Sequence, residues 1–207
     1  MRTLAIDCAT EACSIALFDG DRLIANDHRV LGRGHAERLV PMIAALPNKG
    51  KADRSLVSRG PGSFTGVRIG IATARALGFA WTSEVLGYPT LALVAAVARS
   101  SGQGPVSVSM TAGHGEWFVQ NFGAQGLPAA DARSASPESA ITLAEHEAVA
   151  GTQAEALVER RGTGKAFMLH PDARHALAIP GSLLVPAFTP IYGRAPDAKL
   201  PQNRKDP

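Results

Sequence analysis

The sequence predicts an α/β protein made of two lobes. Three short apolar segments near the amino terminus form the pattern of an antiparallel meander, and strand and helix patterns alternate after them. A run of small and turn-forming residues at 100–105, Ser-Ser-Gly-Gln-Gly-Pro, then interrupts the chain. A second series of strands and helices follows. We therefore place one lobe at residues 1–100 and another, with a frayed tail after Pro196, at residues 101–207.

Each lobe is expected to combine strands with helices that cover them. The predicted helices of the first lobe are 35–46, 65–81 and 90–99, and its predicted strands are 3–7, 13–18, 22–28 and 55–58. The second lobe is expected to open with a hairpin of strands 106–110 and 116–122 and to continue through a loop at 123–137. Helices are then predicted at 137–149, 152–161 and 171–178.

Composition limits the function classes. The chain has 207 residues, of which 45% are hydrophobic and 19% are charged, as in ordinary globular proteins. No stretch reaches the roughly 18 apolar residues of a membrane span, and Asp7 comes too early for a signal-peptide core, so a cytoplasmic protein is expected. The two cysteines, Cys8 and Cys13, lack the spacing of a zinc or redox motif. A net charge of +3 is too small and scattered to indicate direct nucleic-acid binding.

The densest motif is R-G-P-G-S-F-T-G-V-R-I-G at 59–70, between a predicted strand and a predicted helix. A phosphate-binding P-loop needs Lys and Ser or Thr after its last glycine, whereas Val67 and Arg68 follow Gly66 here. A dinucleotide fingerprint fails because the third glycine arrives one residue late. The serine-hydrolase pattern G-x-S-x-G fails because Ser63 stands one place early. The motif is therefore interpreted as a turn that leads into a helix capped by Ser63 or Thr65.

The helix after this turn is expected to have one flat face, because Gly66, Gly70, Ala74 and Gly78 recur every four residues. Each glycine lowers helix propensity by roughly 1 kcal/mol relative to alanine, so close packing on this face must compensate. Two alternatives remain open at this point. The face packs within its own lobe, or it packs against a partner chain.

Two other places resemble reactive sites. Asp7 and Thr10 stand in the first hairpin, where actin-like and hexokinase-like ATPases use D-x-G-T to hold phosphate and metal, but Ala9 replaces the glycine. The alternative is a turn closed by hydrogen bonds to the Asp7 and Thr10 side chains. His35 begins a helix, yet Leu39 occupies the position where a metal-binding helix would carry a second histidine. No metal site is therefore predicted.

The chain resembles the TsaB (YeaZ) family of tRNA threonylcarbamoyladenosine biosynthesis proteins over nearly its whole length. The resemblance rests on A-I-D-x-x-T with C-S-I-A-L at 5–17, H-A-E-R-L-V-P-M-I at 35–43, G-P-G-S-F-T-G-V-R-I-G at 60–70 and P-I-Y-G-R-A-P-D-A-K at 190–199. It implies a two-lobe actin/hexokinase-like (ASKHA) fold, in which each lobe is a mixed sheet with flanking helices.

The resemblance also implies a role without catalysis. Family members act as scaffolds for a TsaD-like subunit, which carries an H-x-x-x-H metal pair where this chain has His35 and Leu39. The implied complex includes a TsaE-like P-loop ATPase, modifies the adenosine next to the anticodon, and contacts tRNA through the other subunits. No tightly bound cofactor is expected, although ATP or ADP at a composite interface involving Asp7 and Thr10 stays open, as does a homodimer when the partner is absent.

The pairing surface of the family is helical and belongs to the first lobe, which corresponds to helices 35–46 and 66–80 here. On this basis the small-residue face of the second helix is assigned to another chain rather than to the lobe itself. The expected interface residues are His35, Leu39, Val40, Ile43, Ile69, Gly70, Thr73, Ala74 and Ala76.

Two departures from the family pattern are visible. Thr111-Ala112-Gly113 replaces the usual Asp-Ala-Arg, and Arg59 replaces a small or apolar residue before G-P-G. Two other functions remain as alternatives, a metal-dependent glycopeptidase-like (M22-type) hydrolase and a relative of sugar or acetate kinases. Metal analysis and nucleotide titration would identify them.

Overall fold

Two five-stranded mixed sheets organise the chain in the computed structural model, which describes residues 1–186 and 188–193. The predicted tail after Pro196 and part of the 190–199 motif lie outside these residues. The first sheet contains β1 (Arg2–Asp7), β2 (Ala12–Asp19), β3 (Arg22–Val30), β4 (Arg54–Ser58) and β5 (Glu84–Tyr88). The second sheet contains β6 (Val106–Gly113), β7 (Glu116–Phe122), β8 (Arg133–Ala135), β9 (Ala148–Ala150) and β10 (Lys165–Phe167). The helices are α1 (His35–Ala45), α2 (Phe64–Trp81), α3 (Thr90–Ser100), α4 (Pro137–Leu143) and α5 (Ala154–Arg161).

The two sheets have the same topology. The first three strands of each sheet form an antiparallel meander, and the last two add in parallel beside the first strand. The orders β3-β2-β1-β4-β5 and β8-β7-β6-β9-β10 therefore correspond strand for strand. Mixed sheets with flanking helices confirm the predicted two-lobe α/β fold. The division between residues 100 and 101 stays a prediction.

Helices and sheets alternate in layers. Helices α1 and α2 pack with Leu4 and Ile6 of β1 on one face of the first sheet. Helix α3 is almost wholly buried because it lies between Ala5 and Leu56 of the first sheet and Val108 of the second. Helices α4 and α5 cover the far face of the second sheet. Alternate residues of one strand thus serve two different cores, as strand geometry requires.

Several predicted elements need correction. The helix predicted at 137–149 ends at Leu143, and 148–150 is β9 instead. The loop predicted at 123–137 contains a short strand, β8. Two further strands, β5 and β10, were not predicted. The last predicted helix is instead a 3₁₀ segment, Ala173–Ala178. Strands β8, β9 and β10 have three residues each, which is too short to show a repeating pattern.

The end of the second half returns to the first sheet. Val185 pairs with Gly87 of β5, and the ring of Phe188 lies where a side chain at Gly87 would be. Farther along, the Ile191 amide donates to the carbonyl of Arg59 at 2.6 Å. This returning segment, residues 185–186 and 188–193, therefore packs against the edge of the first sheet and the glycine-rich turn.

Helix α2 approaches its own sheet very closely through its small residues. A Cβ at Gly66 would collide with the carbonyl oxygen of Cys8, and one at Gly78 would lie 2.5 Å from a methyl group of Val85. Ala74 between them is fully buried. The small-residue face therefore packs within the lobe, and its assignment to another chain was wrong. Ser63 caps the helix, because its Oγ accepts from the Gly66 amide at 3.2 Å.

A buried carboxylate lies at the end of β1. Asp7 is completely buried, and its Oδ1 accepts from the Ala9 amide at 2.9 Å. The Tyr88 hydroxyl lies 3.3 Å from Oδ2, and Ser58 also donates to this carboxyl group. Burial raises the pKa of Asp7 from 3.8 to about 7, although the hydrogen bonds from Ala9, Ser58 and Tyr88 oppose the rise.

Alanine at Gly66 should destabilise the fold because the added methyl group meets a backbone carbonyl that cannot move independently of β1. Overpacking of this kind is expected to lower the free energy of unfolding by roughly 1–3 kcal/mol. Gly70→Ala is the matched control. Its new Cβ would lie 3.5 Å from Val57 and 3.7 Å from Cys8, in ordinary contact, so we expect unchanged or slightly higher stability. Chemical denaturation measures both variants, and equal stabilities would contradict the close approach.

The Asp7 carboxyl should make stability depend on pH. The unfolded group loses its proton near its ordinary pKa of 3.8, whereas the folded group keeps it until about 7. The contribution of Asp7 to stability should therefore fall as pH rises between these values, by on the order of 4 kcal/mol at most, and Asp7→Asn should remove that contribution. Urea unfolding across this pH range measures the effect, with exposed Asp21→Asn as control. Parallel wild-type and Asp7→Asn curves would contradict the assignment.

Candidate functional site

A cleft of about 1210 Å³ lies between the two lobes. One wall consists of the β1–β2 turn, the glycine-rich turn and the first residues of α1 and α2. The opposite wall consists of the end of β6 and the loop around Thr152, with Tyr192 of the returning segment at the rim. Loops at the ends of strands from both sheets thus form the two walls of the cleft.

Of the two predicted nucleotide contacts at the β1–β2 turn, only Thr10 reaches the cleft. Thr10 lines the cleft, and its Oγ1 accepts from the Ala12 amide at 3.1 Å. Asp7 has no exposed surface and is held by bonds from Ala9 and Tyr88, so it offers nothing to a nucleotide in this conformation. The prediction for Asp7 is corrected accordingly, because its carboxylate closes the turn from beneath. The Thr10 contact stays a prediction.

His35 lies where α1 enters the cleft. Its side chain is 8% exposed, and its Nε2 lies 3.3 Å from the carbonyl oxygen of Ala12. The residue thus joins α1 to β2. Leu39, one turn later, is fully buried in the core beneath α1.

The predicted interface residues fall into two groups. His35, Leu39, Ile43, Gly70 and Ala74 face the interior of their own lobe, so their assignment to a partner surface was wrong. The physical reason is that α1 and α2 share one core with β1 and β4. The remaining residues, Val40, Ile69, Thr73 and Ala76, are exposed or half-buried, and their interface role stays a prediction.

The solvent side of α1 and α2 carries an apolar surface that the sequence analysis largely missed. We call it the outer face and define it as Val40, Ala72, Ala76, Phe79 and Ala80, all of which are exposed. Phe79 is 92% exposed and Val40 is 55% exposed. A contiguous exposed apolar patch would mark a surface that binds another molecule. The signal in the sequence was a single large residue among alanines on one side of α2.

The two departures from the family pattern have different surroundings. Thr111 belongs to a hydroxyl and amide cluster, in which its Oγ1 accepts from Gln153 at 2.8 Å and its amide donates to Thr152 at 3.2 Å. Arg59 is half-buried, and burial lowers the pKa of its guanidinium. Its Nε is buried without a hydrogen-bond partner among the described residues.

The described residues contain neither a grouped set of metal ligands nor a helix suited to a membrane. Among residues 1–186 and 188–193, no three His, Cys, Asp or Glu side chains are grouped to hold a metal ion. None of the helices in the same part of the chain is both long enough and apolar enough to cross a membrane.

The chain is similar in sequence to proteins named for the synthesis of threonylcarbamoyladenosine in tRNA. A family model described as TsaD, tRNA N6-adenosine threonylcarbamoyltransferase, matches residues 28–177. The chain is 38% identical over 128 residues to the tRNA threonylcarbamoyladenosine biosynthesis protein TsaB of Escherichia coli, covering 59% of this chain and 55% of that protein. It is 40% identical over 101 residues to the TsaB protein of Haemophilus influenzae, covering 46% and 42%. The match thus spans about half the length of these curated relatives.

Comparison with solved structures extends the similarity to nearly the whole chain. YeaZ from Pseudomonas aeruginosa superposes with a TM-score of 0.78 at 30% identity, covering 92% of this chain and 99% of that one. A second structure, titled as an uncharacterized protein with similarity to peptidase YEAZ from Pseudomonas aeruginosa, gives a TM-score of 0.79 at 31% identity and covers 93% and 99%. These matches confirm the resemblance and the fold class predicted from it. The chain belongs to the TsaB (YeaZ) family.

Proposed function

We propose that this chain is a non-catalytic subunit of the machinery that makes N6-threonylcarbamoyladenosine next to the anticodon of tRNA. In this proposal the outer face of α1 and α2 pairs with a TsaD-like catalytic chain, and a TsaE-like P-loop ATPase completes the complex in the cytoplasm. The similarity to proteins of tRNA threonylcarbamoyladenosine biosynthesis supports the choice of pathway. The exposure of Phe79 within an apolar helical surface is the observation that carries the pairing role.

The positions of individual residues support a scaffold role. His35 packs against the Ala12 carbonyl, and Leu39 fills the core where a metal-binding helix would carry its second histidine. The buried Asp7 carboxylate closes a turn rather than facing the cleft. These side chains stabilise the lobe that presents α1 and α2.

The outer face combines one large aromatic side chain with several small ones. Phe79 supplies a large aromatic ring, and Ala72 and Ala76 beside it allow a partner helix to approach closely. Truncation of a central aromatic residue commonly weakens an interface by 2 kcal/mol or more, roughly thirtyfold or more in the dissociation constant. Phe79 is therefore the residue whose removal should affect pairing most.

Phe79→Ser should weaken binding to a purified TsaD-like chain by at least about tenfold, because it removes the largest exposed apolar side chain of the outer face. Its melting temperature should match that of the wild type, because the ring is 92% exposed in the free chain. Isothermal titration calorimetry measures the binding. Leu127→Ser is the matched control, since Leu127 is an exposed apolar residue of the second half. Equal affinities for both variants would contradict the assignment of the outer face.

A reconstituted modification reaction tests the wider role. The TsaD-like chain, the P-loop ATPase, a threonylcarbamoyl donor and unmodified tRNA are combined with and without this chain, and the modified nucleoside is quantified by mass spectrometry. The proposal expects the product to depend on this chain and to fall with Phe79→Ser but not with Leu127→Ser. Equal product in the absence of this chain would contradict the proposed function.

A further inference from the structure

The charged residues of α2 and of the segment that precedes it are all positive. Between Asp53 and Glu84 the chain carries four arginines and no acidic residue. Two of these arginines, Arg68 and Arg75, are exposed on α2 itself. They are seven residues apart, which is close to two helical turns, so they lie along the same side of the helix.

Arg68 is held in place by two aromatic residues. Its guanidinium lies 3.5 Å from the ring centroid of Phe64, and it donates to the Tyr192 hydroxyl from Nε at 3.1 Å and from Nη2 at 2.9 Å. Phe64 and Tyr192 are themselves 55% and 44% exposed. The guanidinium is therefore held in an exposed position at the rim of the cleft.

Arg75 is held in a similar way two turns later. Its Nη2 donates to the Phe188 carbonyl at 2.6 Å, and the guanidinium lies 5.3 Å from the Phe188 ring centroid. Within residues 1–186 and 188–193, neither Arg68 nor Arg75 has a carboxylate within salt-bridge distance. A guanidinium has five N–H donors, and the described residues use only one donor of Arg75 and two of Arg68 in hydrogen bonds.

The two arginines border the outer face. Ala72 follows Arg68 by four residues, and Phe79 follows Arg75 by four. Residues four apart are neighbours on a helix surface, so each arginine lies beside a residue of the outer face. An apolar strip with ordered charges along one edge matches the apolar centre and polar rim of protein interfaces. Ordering the guanidiniums in advance reduces the entropy lost when they pair.

We propose that Arg68 and Arg75 form an arginine edge that pairs with carboxylates of the partner protein, and that this partner presents an apolar pocket for Phe79 bordered by acidic side chains. The inference rests on the proposed function, since it specifies the surface that the outer face binds. A protein is favoured over RNA because the neighbouring strip is apolar, whereas RNA contacts of arginine are usually accompanied by further polar and basic groups.

Charge reversal tests the arginine edge. The Arg68→Glu, Arg75→Glu variant should bind the TsaD-like chain at least about tenfold more weakly at low salt, mainly through slower association. Added salt should weaken wild-type binding but not that of the variant, because salt screens the new repulsion. Arg22→Glu is the matched control, because Arg22 is exposed at the start of β3, the edge strand opposite β5 in the first sheet. Surface plasmon resonance at several salt concentrations gives the rate constants.

A second variant separates charge from folding. Arg68→Gln with Arg75→Gln removes both charges and leaves a side-chain amide donor at each exposed position, so a weaker salt dependence without a large change in melting temperature is expected. Tight wild-type binding that none of these variants alters would overturn the arginine edge while leaving the proposed function intact. Absence of wild-type binding would overturn both. Binding of tRNA to the isolated chain that charge reversal abolishes would assign the arginines to phosphate and overturn the proposal.

Discussion

The close approach of α2 to the end of β1 is the constraint on which the rest of the structure depends. Gly66 lies directly against the Cys8 carbonyl, and Gly62 lies against that of Ala9, so the helix begins in backbone contact with the β1–β2 turn. This contact fixes the glycine-rich turn as a wall of the cleft and brings Ser63 into position as the helix cap. It also determines which side of α2 faces solvent, because the opposite side must remain small.

One helix therefore carries two faces with different tasks. The inward face consists of Gly66, Gly70, Ala74 and Gly78 and allows α2 to lie close to β1, β4 and β5. The outward face holds Phe79 among alanines, and Phe188 and Tyr192 of the returning segment order the arginines along its edge. Small side chains on one side let α2 pack closely on the sheet, and the large ring of Phe79 lies on the other side, in solvent.

Much of the fold could be predicted from local sequence patterns, but the face of α2 that packs on the sheet could not. The long strands and the Ser63 cap were predictable, because alternation and capping depend on near neighbours in the sequence. Both sides of α2 are rich in small residues, however, so periodicity could not tell the sheet side from the solvent side. The burial of Asp7 depends on Tyr88, which is 81 residues away in sequence, and no local motif reveals that contact.

The duplicated sheet topology was also invisible in the sequence. The strands that complete the second sheet have three residues each and carry no repeating pattern, although they occupy the same places as β3, β4 and β5 in the first sheet. Pairing and burial between distant segments, rather than local propensity, specify these strands. The second sheet thus shares the arrangement of the first without sharing its sequence pattern.

Hydroxyl-radical footprinting of this chain, alone at a concentration where it is monomeric and then in complex with the TsaD-like chain, tests most directly whether the outer face is the partner surface. We expect the exposed Phe79 ring to be oxidised rapidly in the free chain and to be protected in the complex, while the exposed Leu127 reacts equally in both. A complex in which Phe79 reacts as fast as in the free chain would contradict the account.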